Sequence, residues 1–357
     1  MPVLEELGWD ADWASSFEQL QEDNSTAGRV AAQHRGAYVV WAADAELRAR
    51  AAGRLFYAHE VGAPIPAVGD WVGVQRNGDA ATITSILPRR SAFLRKRAGF
   101  GSEEQVLAAN VDTAFLLAGL DDDFSLRRLE RYITTAWDSG AAPVVVLTKA
   151  DLCADVGDAV LSVETVAIGV PVVPLSNVTG EGLDGLVPHL APGRTVVLLG
   201  SSGVGKSTLL NRLVGTELMR TAEIAADGTG RHTTTHRELV RLPDGALVID
   251  TPGLRELQLW DVSQGLEQTF EDVAVLAAAC RFGDCSHESE PGCAVREALR
   301  SGSLPRERFD SWRKLQRELG RLERRLDARA RSEHSQQIRR EARQRRRTQR
   351  PPRGRAR

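Results

Sequence analysis

The N-terminal third of the chain is patterned as β-structure. Between residues 28 and 87, short apolar runs are separated by turn signals, and Asn77-Gly78 between two such runs strongly favours a hairpin. The pattern predicts a barrel of about five short strands. The OB-fold is the commonest small barrel that binds nucleic acid, and an SH3-like barrel is the structural alternative. Tyr38, Trp41 and Trp71 could stack on bases, but we expect most of them to lie in the core.

Farther along, buried strands alternate with helices. Apolar runs typical of strands covered on both faces occur at residues 111–117, 143–147, 170–175 and 195–199. Helical stretches separate them, the first near residues 126–139. This alternation predicts a parallel sheet with helices on both faces.

Beyond residue 265 the chain becomes helical. From residue 306 to about 347 it is highly charged, with sparse apolar residues spaced by three and four. That spacing places them on one stripe of a helix. The stripe consists of Phe309, Trp312, Leu315, Leu319, Leu322 and Leu326.

Residues 200–207 have the sequence of a phosphate-binding loop, between the strand at 195–199 and a helix starting near Thr208. Backbone N–H groups and the helix dipole would bind the phosphates. We predict that Lys206 reaches the β- and γ-phosphates, as a catalytic cation, and that Ser207 binds Mg²⁺. The expected nucleotide contacts are Gly200, Ser201, Ser202, Gly203, Val204, Gly205, Lys206, Ser207 and Thr208.

Two further motifs predict recognition of guanine. Thr148, Lys149 and Asp151 follow the strand at 143–147, where a carboxylate can accept hydrogen bonds from guanine N1–H and its amino group. Lys149 would pack along the base. Ser176 and Asn177 begin a second base loop, in which a backbone N–H meets guanine O6. The first motif usually starts with Asn; because Thr148 lacks that amide, we expect weaker nucleotide affinity but an intact guanine preference.

The segment after the phosphate loop supplies the remaining nucleotide contacts. Asp250, at the end of a strand, can hold Mg²⁺ through water, and Gly253 can present its N–H to the γ-phosphate. Thr235 is the expected Mg²⁺ ligand from the switch, with Thr234 as the alternative. Leu254 stands where many GTPases have a water-orienting Gln. His232 is therefore a candidate catalytic group, although it could instead be a loop histidine that packs or contacts a partner.

The order of these motifs is itself informative. In an ordinary GTPase the phosphate loop comes first and the base motif last, whereas here both base motifs precede residues 200–207. A domain whose termini lie close together can be cut and rejoined without changing its core. The order therefore predicts a circularly permuted GTPase.

Four potential metal ligands lie within fourteen residues. Three thiolates and one imidazole suit a tetrahedral structural zinc site, with iron as the other possibility. The set consists of Cys280, Cys285, His287 and Cys293. Clustered cysteines in a chain without a signal peptide or a long apolar run indicate a cytoplasmic protein with no membrane segment.

Charge is distributed unevenly along the chain. Residues 339–357 contain ten arginines and one acid, a balance of +9, so that the rest carries −11 of the overall −2. An acidic body with a basic tail suggests a polyanionic partner, but the tail could equally be a solvated extension. Arg89, Arg90, Arg95, Lys96 and Arg97 form a second basic stretch, which we interpret as a linker that contacts phosphates or solvent.

The combination of motifs resembles the ribosome small-subunit-dependent GTPases, the RsgA/YjeQ family. The resemblance covers residues 28 to about 326 and rests on residues 69–72, 109–112, 148–151, 203–207, 230–235, 250–253 and 280–293. It implies an N-terminal OB-fold, a central permuted α/β GTPase domain and a C-terminal helical zinc-binding domain. It also implies GTP hydrolysis that is stimulated by the small (30S) ribosomal subunit during late assembly, with contacts to ribosomal RNA; we expect a monomer.

The resulting division of the chain has six segments. They are an N-terminal extension (1–27), an OB-fold barrel (28–90), a basic linker (91–110), the GTPase domain (111–265), the zinc-binding domain (266–338) and an Arg-rich tail (339–357). Two other functions remain open from the residues alone: a nucleic-acid-binding module with a degenerate nucleotide site, and a P-loop ATPase or kinase.

Overall fold

The computed structural model divides into two compact units. It describes residues 3–20, 24–34, 36–60, 64–77, 80–96, 104–215, 237–250, 263–321 and 324. Unit 1 comprises Met1–Gln258 with Glu267–Glu271, and unit 2 comprises Leu259–Leu266 with Asp272–Arg357. No helix among these residues is long and apolar enough to cross a membrane.

The N-terminal region of unit 1 contains the predicted barrel. Its elements are α1 (Ala11–Glu18), β1 (Thr26–His34), β2 (Ala37–Ala42), β3 (Glu46–Ala51), α2 (Gly53–Glu60), β4 (Trp71–Asn77) and β5 (Ala80–Ile86). The strands are ordered β1-β2-β3-β5-β4, and β4 also pairs with β1, which closes the barrel. Tyr38 and Trp71 are buried, as expected. An OB-like five-stranded barrel is therefore confirmed.

The described part of the predicted N-terminal extension (1–27) packs onto the rest of unit 1. A 3-10 helix, Leu4–Leu7, and α1 pack onto the core of unit 1, with Leu7 and Trp13 buried. The Trp9 ring meets the buried Trp71 edge-on, with centroids 4.7 Å apart. Leu4, Trp9, Phe17 and Leu20 also pack against this core, whereas Val3 is exposed.

The segment interpreted as a basic linker contains a two-stranded antiparallel sheet. Its strands are β6 (Ala92–Lys96) and β7 (Glu104–Ala109), and Phe93 and Leu107 are buried. Arg89 is bound to the fully buried Asp70 carboxylate, with both of its hydrogen bonds at 2.7 Å. The buried Phe93 and Leu107 thus make β6 and β7 part of the core of unit 1.

The second half of unit 1 is the predicted α/β layer. It comprises β8 (Thr113–Gly119), α3 (Leu126–Ser139), β9 (Ala142–Thr148), α4 (Val156–Glu164), β10 (Val172–Pro174), β11 (Thr195–Gly200), α5 (Lys206–Val214), β12 (Arg237–Arg241) and β13 (Leu247–Asp250). The order is β10-β9-β8-β11-β13-β12, parallel except for β12. Because β12 also pairs with β1, at Ala32↔Glu238 and Gln33↔Arg237, the barrel and this layer form one continuous eleven-stranded sheet.

A buried arginine lies where the parts of unit 1 meet. The Arg29 guanidinium, on β1, donates to the carbonyls of Leu7, Gly69 (3.3 Å) and Asn110 (3.1 Å), and to Thr195 Oγ1 at 2.7 Å. It also lies 5.2 Å from the centre of the Trp71 ring. Burial lowers the pKa of Arg29 to about 10, an effect that Asp112 and Asp70 oppose, so the side chain stays charged at neutral pH.

Unit 2 is helical. Its described elements include α7 (Glu271–Ala278), which follows α6 (Ser263–Thr269), then α8 (Ala294–Ser301), and residues 306–321 form its last described helix. On that helix Phe309, Trp312, Leu315 and Leu319 are buried, which confirms the predicted apolar stripe over the described residues. Arg308 is buried beside them and paired with Asp272 at 2.9 Å.

We predict that Arg29→Met destabilises unit 1 by at least about 3 kcal/mol, because each buried acceptor left without a donor costs about 1–3 kcal/mol. Urea unfolding followed by tryptophan fluorescence measures the change. Arg76→Met is the matched control, since Arg76 pairs with Asp44 at the surface. Equal losses in the two variants would contradict the structural role of Arg29.

Candidate nucleotide-binding site and metal centre

The phosphate loop occupies the carboxyl end of a central strand. β11 is fully buried between β8 and β13, and the chain turns through residues 201–205 before α5 begins at Lys206. Gly203 and Gly205 have φ values of +77° and +94°, in the left-handed region. The Lys206 ammonium folds back onto the loop and donates to the carbonyls of Gly200 (2.7 Å) and Ser201. Backbone carbonyls thus hold the cation in the loop that would surround the phosphates.

Close packing of the loop depends on glycine at position 205. A Cβ there would lie 2.8 Å from the Nδ2 atom of Asn177, in addition to the strain of the left-handed backbone. Gly205 immediately precedes α5, whose first residues Lys206, Ser207 and Thr208 are the expected phosphate and Mg²⁺ contacts. The second base loop therefore packs directly on the phosphate loop.

The first base motif follows β9, in the predicted position. The Thr148 hydroxyl is buried and donates to the carbonyl of Val204 at 2.7 Å. Lys149 has a left-handed backbone, with φ +59°, and its ammonium is paired with the Asp121 carboxylate. This hydrogen bond holds the pKa of Asp121 below its ordinary value.

The second base motif is hydrogen-bonded to the first. The Ser176 hydroxyl donates to the Asp151 carboxylate and accepts from the N–H groups of Val178 (3.2 Å) and Thr179 (3.1 Å). Asp151 lies on the short 3-10 helix Ala150–Leu152, directly after β9. These bonds orient the carboxylate that the sequence assigns to the guanine edge.

An acidic loop after β8 also contacts the phosphate loop, although the sequence motifs did not predict this contact. Asp123 accepts from the Ser201 hydroxyl at 2.8 Å and is paired with Arg128 on α3. The bonds from Arg128 and then Ser201 lower the pKa of Asp123 to about 2. The only sequence feature that points to this contact is the acidic run at the end of a strand, Asp121-Asp122-Asp123.

Only some of the remaining predicted nucleotide contacts lie within the described residues. Asp250 is the last residue of β13, and its backbone pairs with Glu238. The other candidates from this segment lie outside the described residues: His232, Thr234, Thr235, Gly253 and Leu254. Their roles therefore stay predictions.

The cysteine cluster converges in unit 2. Donor atoms of Cys280, Cys285, His287 and Cys293 all lie within 4.8 Å of one another. Cys280 Sγ is 3.8 Å from Cys293 Sγ, and His287 Nδ1 lies 3.5 Å and 3.4 Å from these two sulfurs. Zn–S bonds of about 2.3 Å and Zn–N bonds of about 2.0–2.1 Å in a tetrahedron give separations of about 3.8 and 3.5 Å. The donor set therefore fits zinc.

Contacts around the cluster fix its loop and two of its ligands. The Glu290 carboxylate accepts hydrogen bonds from the Ser286 hydroxyl and from the backbone N–H groups of Ser286 (2.9 Å), Glu288 (3.1 Å) and Ser289 (3.0 Å). These bonds, above all the one from the Ser286 hydroxyl, hold the pKa of Glu290 below its usual range. His287 packs against the Trp312 ring at 5.7 Å. Cys293 precedes α8, and its sulfur accepts the N–H of Arg296 at 3.4 Å, so this hydrogen bond fixes the position of the sulfur.

A phosphate loop that follows both base loops in sequence, yet is bonded to them at the end of one parallel sheet, defines a circularly permuted GTPase. The RsgA GTPase family model matches residues 86–260. The small ribosomal subunit biogenesis GTPase RsgA of Opitutus terrae is 50% identical over 337 residues, covering 91% of this chain and 92% of that protein. RsgA of Streptomyces coelicolor is 47% identical over 335 residues, covering 93% and 90%.

Two solved structures share the fold. YjeQ from Thermotoga maritima has a TM-score of 0.64 and 26% identity, covering 83% of this chain and 98% of its own. YloQ, described as a circularly permuted GTPase, has a TM-score of 0.62 and 26% identity, covering 85% and 97%. The chain belongs to the RsgA GTPase family and is a GTP hydrolase. This family membership does not favour the two other functions considered for the chain, a nucleic-acid-binding module with a degenerate nucleotide site and a P-loop ATPase or kinase.

We predict that Gly205→Ala weakens nucleotide binding far more than Gly203→Ala. Both glycines lie in the phosphate loop and have a left-handed backbone, but a Cβ at Gly203 would meet no atom within 4 Å. The difference between the variants therefore reports the contact with Asn177. Titration with a fluorescent GDP analogue measures it, and equal affinities would refute the close packing of the two loops.

Proposed function

We propose that this chain binds the small ribosomal subunit and hydrolyses GTP there late in subunit assembly, with the subunit stimulating hydrolysis. The observation that carries the proposal is the continuous sheet of unit 1. One part of the sheet ends in the nucleotide loops, and the other closes into a barrel of a class that binds nucleic acid. The names of its relatives, which are small ribosomal subunit biogenesis GTPases, supply the partner.

Ribosomal RNA is the component of the subunit that the barrel suits. Arg48 and Arg50 are exposed on β3, and Arg54 is exposed at the start of α2. On the same helix, Phe56 is 48% and Tyr57 76% exposed. Cations that neutralise phosphates, next to exposed rings that stack on bases, are the features with which barrels bind single strands. The Arg-rich tail, outside the described residues, would add further phosphate contacts.

In the proposed mechanism, Lys206 binds the β- and γ-phosphates, and Asp151 accepts from the guanine edge. Ser207 and Thr235 would hold Mg²⁺ directly, with Thr234 as the alternative to Thr235 and Asp250 acting through water. Mg²⁺ supplies neutralisation of the charge that develops on the phosphates. The Gly253 N–H would donate to the γ-phosphate.

Water activation is assigned to His232, because Leu254 has no polar side-chain atom. A neutral imidazole can align a water or accept its proton near pH 7. Contact with ribosomal RNA would bring the ring towards the γ-phosphate, which accounts for stimulation by the partner. The alternative role for His232 is contact with the partner alone.

We predict that small subunits raise the GTP turnover of the purified chain at least tenfold, whereas large subunits do not. Lys206→Ala should abolish turnover because the phosphates lose their main cation. His232→Ala should lose most of the stimulated rate while GTP affinity and subunit binding stay close to wild type. Phosphate release and subunit co-sedimentation measure these effects.

Two outcomes of that experiment would overturn parts of the proposal. Turnover that small subunits leave unchanged would exclude the proposed partner. Full stimulation in His232→Ala would place the catalytic group elsewhere in the complex, while leaving the partner intact.

The metal of unit 2 is proposed to be one structural zinc ion. Four protein ligands leave no open position for catalysis, and a structural site contributes folding free energy directly. We predict about one zinc per chain. Cys285→Ser should lose the metal and destabilise unit 2 without changing GDP affinity, whereas Cys153→Ser, whose thiol lies outside the cluster, should do neither. Elemental analysis showing no zinc in freshly reduced wild-type protein would contradict the site.

A further inference from the structure

The two base loops are attached to consecutive carbonyl groups of the phosphate loop. The Thr148 hydroxyl donates to the Val204 carbonyl at 2.7 Å, and the Asn177 Nδ2 amide donates to the Gly205 carbonyl at 3.2 Å. Thr148 is fully buried and Asn177 is 7% exposed, so both bonds lie away from solvent. Buried hydrogen bonds between loops restrict their separation, because breaking one leaves an unsatisfied group.

The orientation of the Asn177 amide is determined by its surroundings. A carbonyl oxygen can only accept, so the nitrogen of the amide must face Gly205. The other amide atom, Oδ1, is buried and has no hydrogen-bond partner among the described residues. The side chain therefore acts on the loops through one donated bond.

The rest of the second base loop is anchored to the helix that follows the phosphate loop. On α5, the Arg212 guanidinium donates to the carbonyls of Asn177 (2.9 Å) and Val178 (2.7 Å). Three hydrogen bonds thus join this loop to the phosphate loop and its helix. A displacement of Asn177 would move the Ser176 hydroxyl, which orients the Asp151 carboxylate.

We propose that Asn177 is a positioning residue that supplies, from the second base loop, the amide that the first base motif lacks at Thr148. In this chain, the hydroxyl of Thr148 and the amide of Asn177 together join the two base loops to the phosphate loop. The pair then sets how long a bound guanine nucleotide remains in the site. The amide of Asn177 thereby offsets the weaker nucleotide affinity that is expected from Thr148 alone. This inference rests on the proposed nucleotide contacts but not on the ribosomal partner.

The test measures release of a fluorescent GDP analogue from the full-length chain without ribosomes. Loss of one net hydrogen bond of about 0.5–1.5 kcal/mol corresponds to roughly two- to tenfold faster release for Asn177→Ala. Asn177→Asp should release faster still, because a carboxylate oxygen would face the Gly205 carbonyl. The control is Val187→Ala, since Val187 is 66% exposed on the 3-10 helix that follows this loop.

A second variant separates positioning from general stability. Thr148→Asn in the Asn177→Ala background returns an amide to the first motif and should restore release to within about twofold of wild type. In Asn177→Ala itself, KM for GTP should rise while kcat at saturating GTP stays unchanged, and the free energy of unfolding should fall by no more than the loss of one hydrogen bond, about 0.5–1.5 kcal/mol. Wild-type release in both Asn177 variants, or a loss of unfolding free energy far beyond that of one hydrogen bond, would overturn the proposal.

Stimulation of GTP turnover by small subunits tests the ribosomal partner separately from the role of Asn177. Normal stimulation by small subunits together with wild-type release in Asn177→Ala would refute the role of Asn177 and leave the proposed function intact. Faster release in a chain that small subunits do not stimulate would support the role of Asn177 and refute the partner.

Discussion

The arrangement of unit 1 depends on keeping one positive charge out of water. The Arg29 guanidinium is surrounded by carbonyl and hydroxyl oxygens from the N-terminal segment, the barrel, the end of β7 and the start of β11. No carboxylate among the described residues bonds to it directly, so oxygen dipoles and the Trp71 ring stabilise the charge. Such an environment exists only when all of these segments are in place. A buried cation of this kind therefore specifies one arrangement of the segments, because any displacement would leave the charge unsolvated.

The nucleotide site and the metal centre represent two ways of ordering loops. In unit 1, the loops follow buried parallel strands, and hydrogen bonds between the loops complete their placement. In unit 2, short helices surround a small apolar cluster that includes Phe309 and Trp312. A small core leaves little free energy to order a loop such as residues 280–293, and metal ligation is a common remedy. The carboxylate of Glu290 bonds within the same loop, which pre-arranges the chain around the ligands.

Much of this structure could be predicted from the sequence, since strong periodicity and fixed motif spacing act locally. Helix α3 begins and ends at the predicted residues, and the phosphate loop lies between a strand and a helix as expected. Long-range interactions could not be read in this way. The side chain of Arg29 bonds to residues up to 166 positions away, and the amide of Asn177 meets a carbonyl 28 positions away. The packing of Leu7 and Trp13 in the N-terminal extension could not be predicted for the same reason, because it depends on the surface that these side chains cover.

The strand order of unit 1 also has a consequence for synthesis, since a chain emerges from its N-terminus. Once β11 has been made, the barrel can close through β1 and β4, which leaves only Ala32 and Gln33 of β1 without their partner strand β12, and β8, β9, β10 and β11 can form a second sheet. The hairpin β12–β13 is made last and fits between them, pairing with β11 on one side and β1 on the other. Until then, two edge strands have backbone groups that are open to pairing with other chains. The eleven-stranded sheet can therefore be completed only after β13, the last strand of the nucleotide site, has been translated. Until that point, a nascent chain would have exposed strand edges.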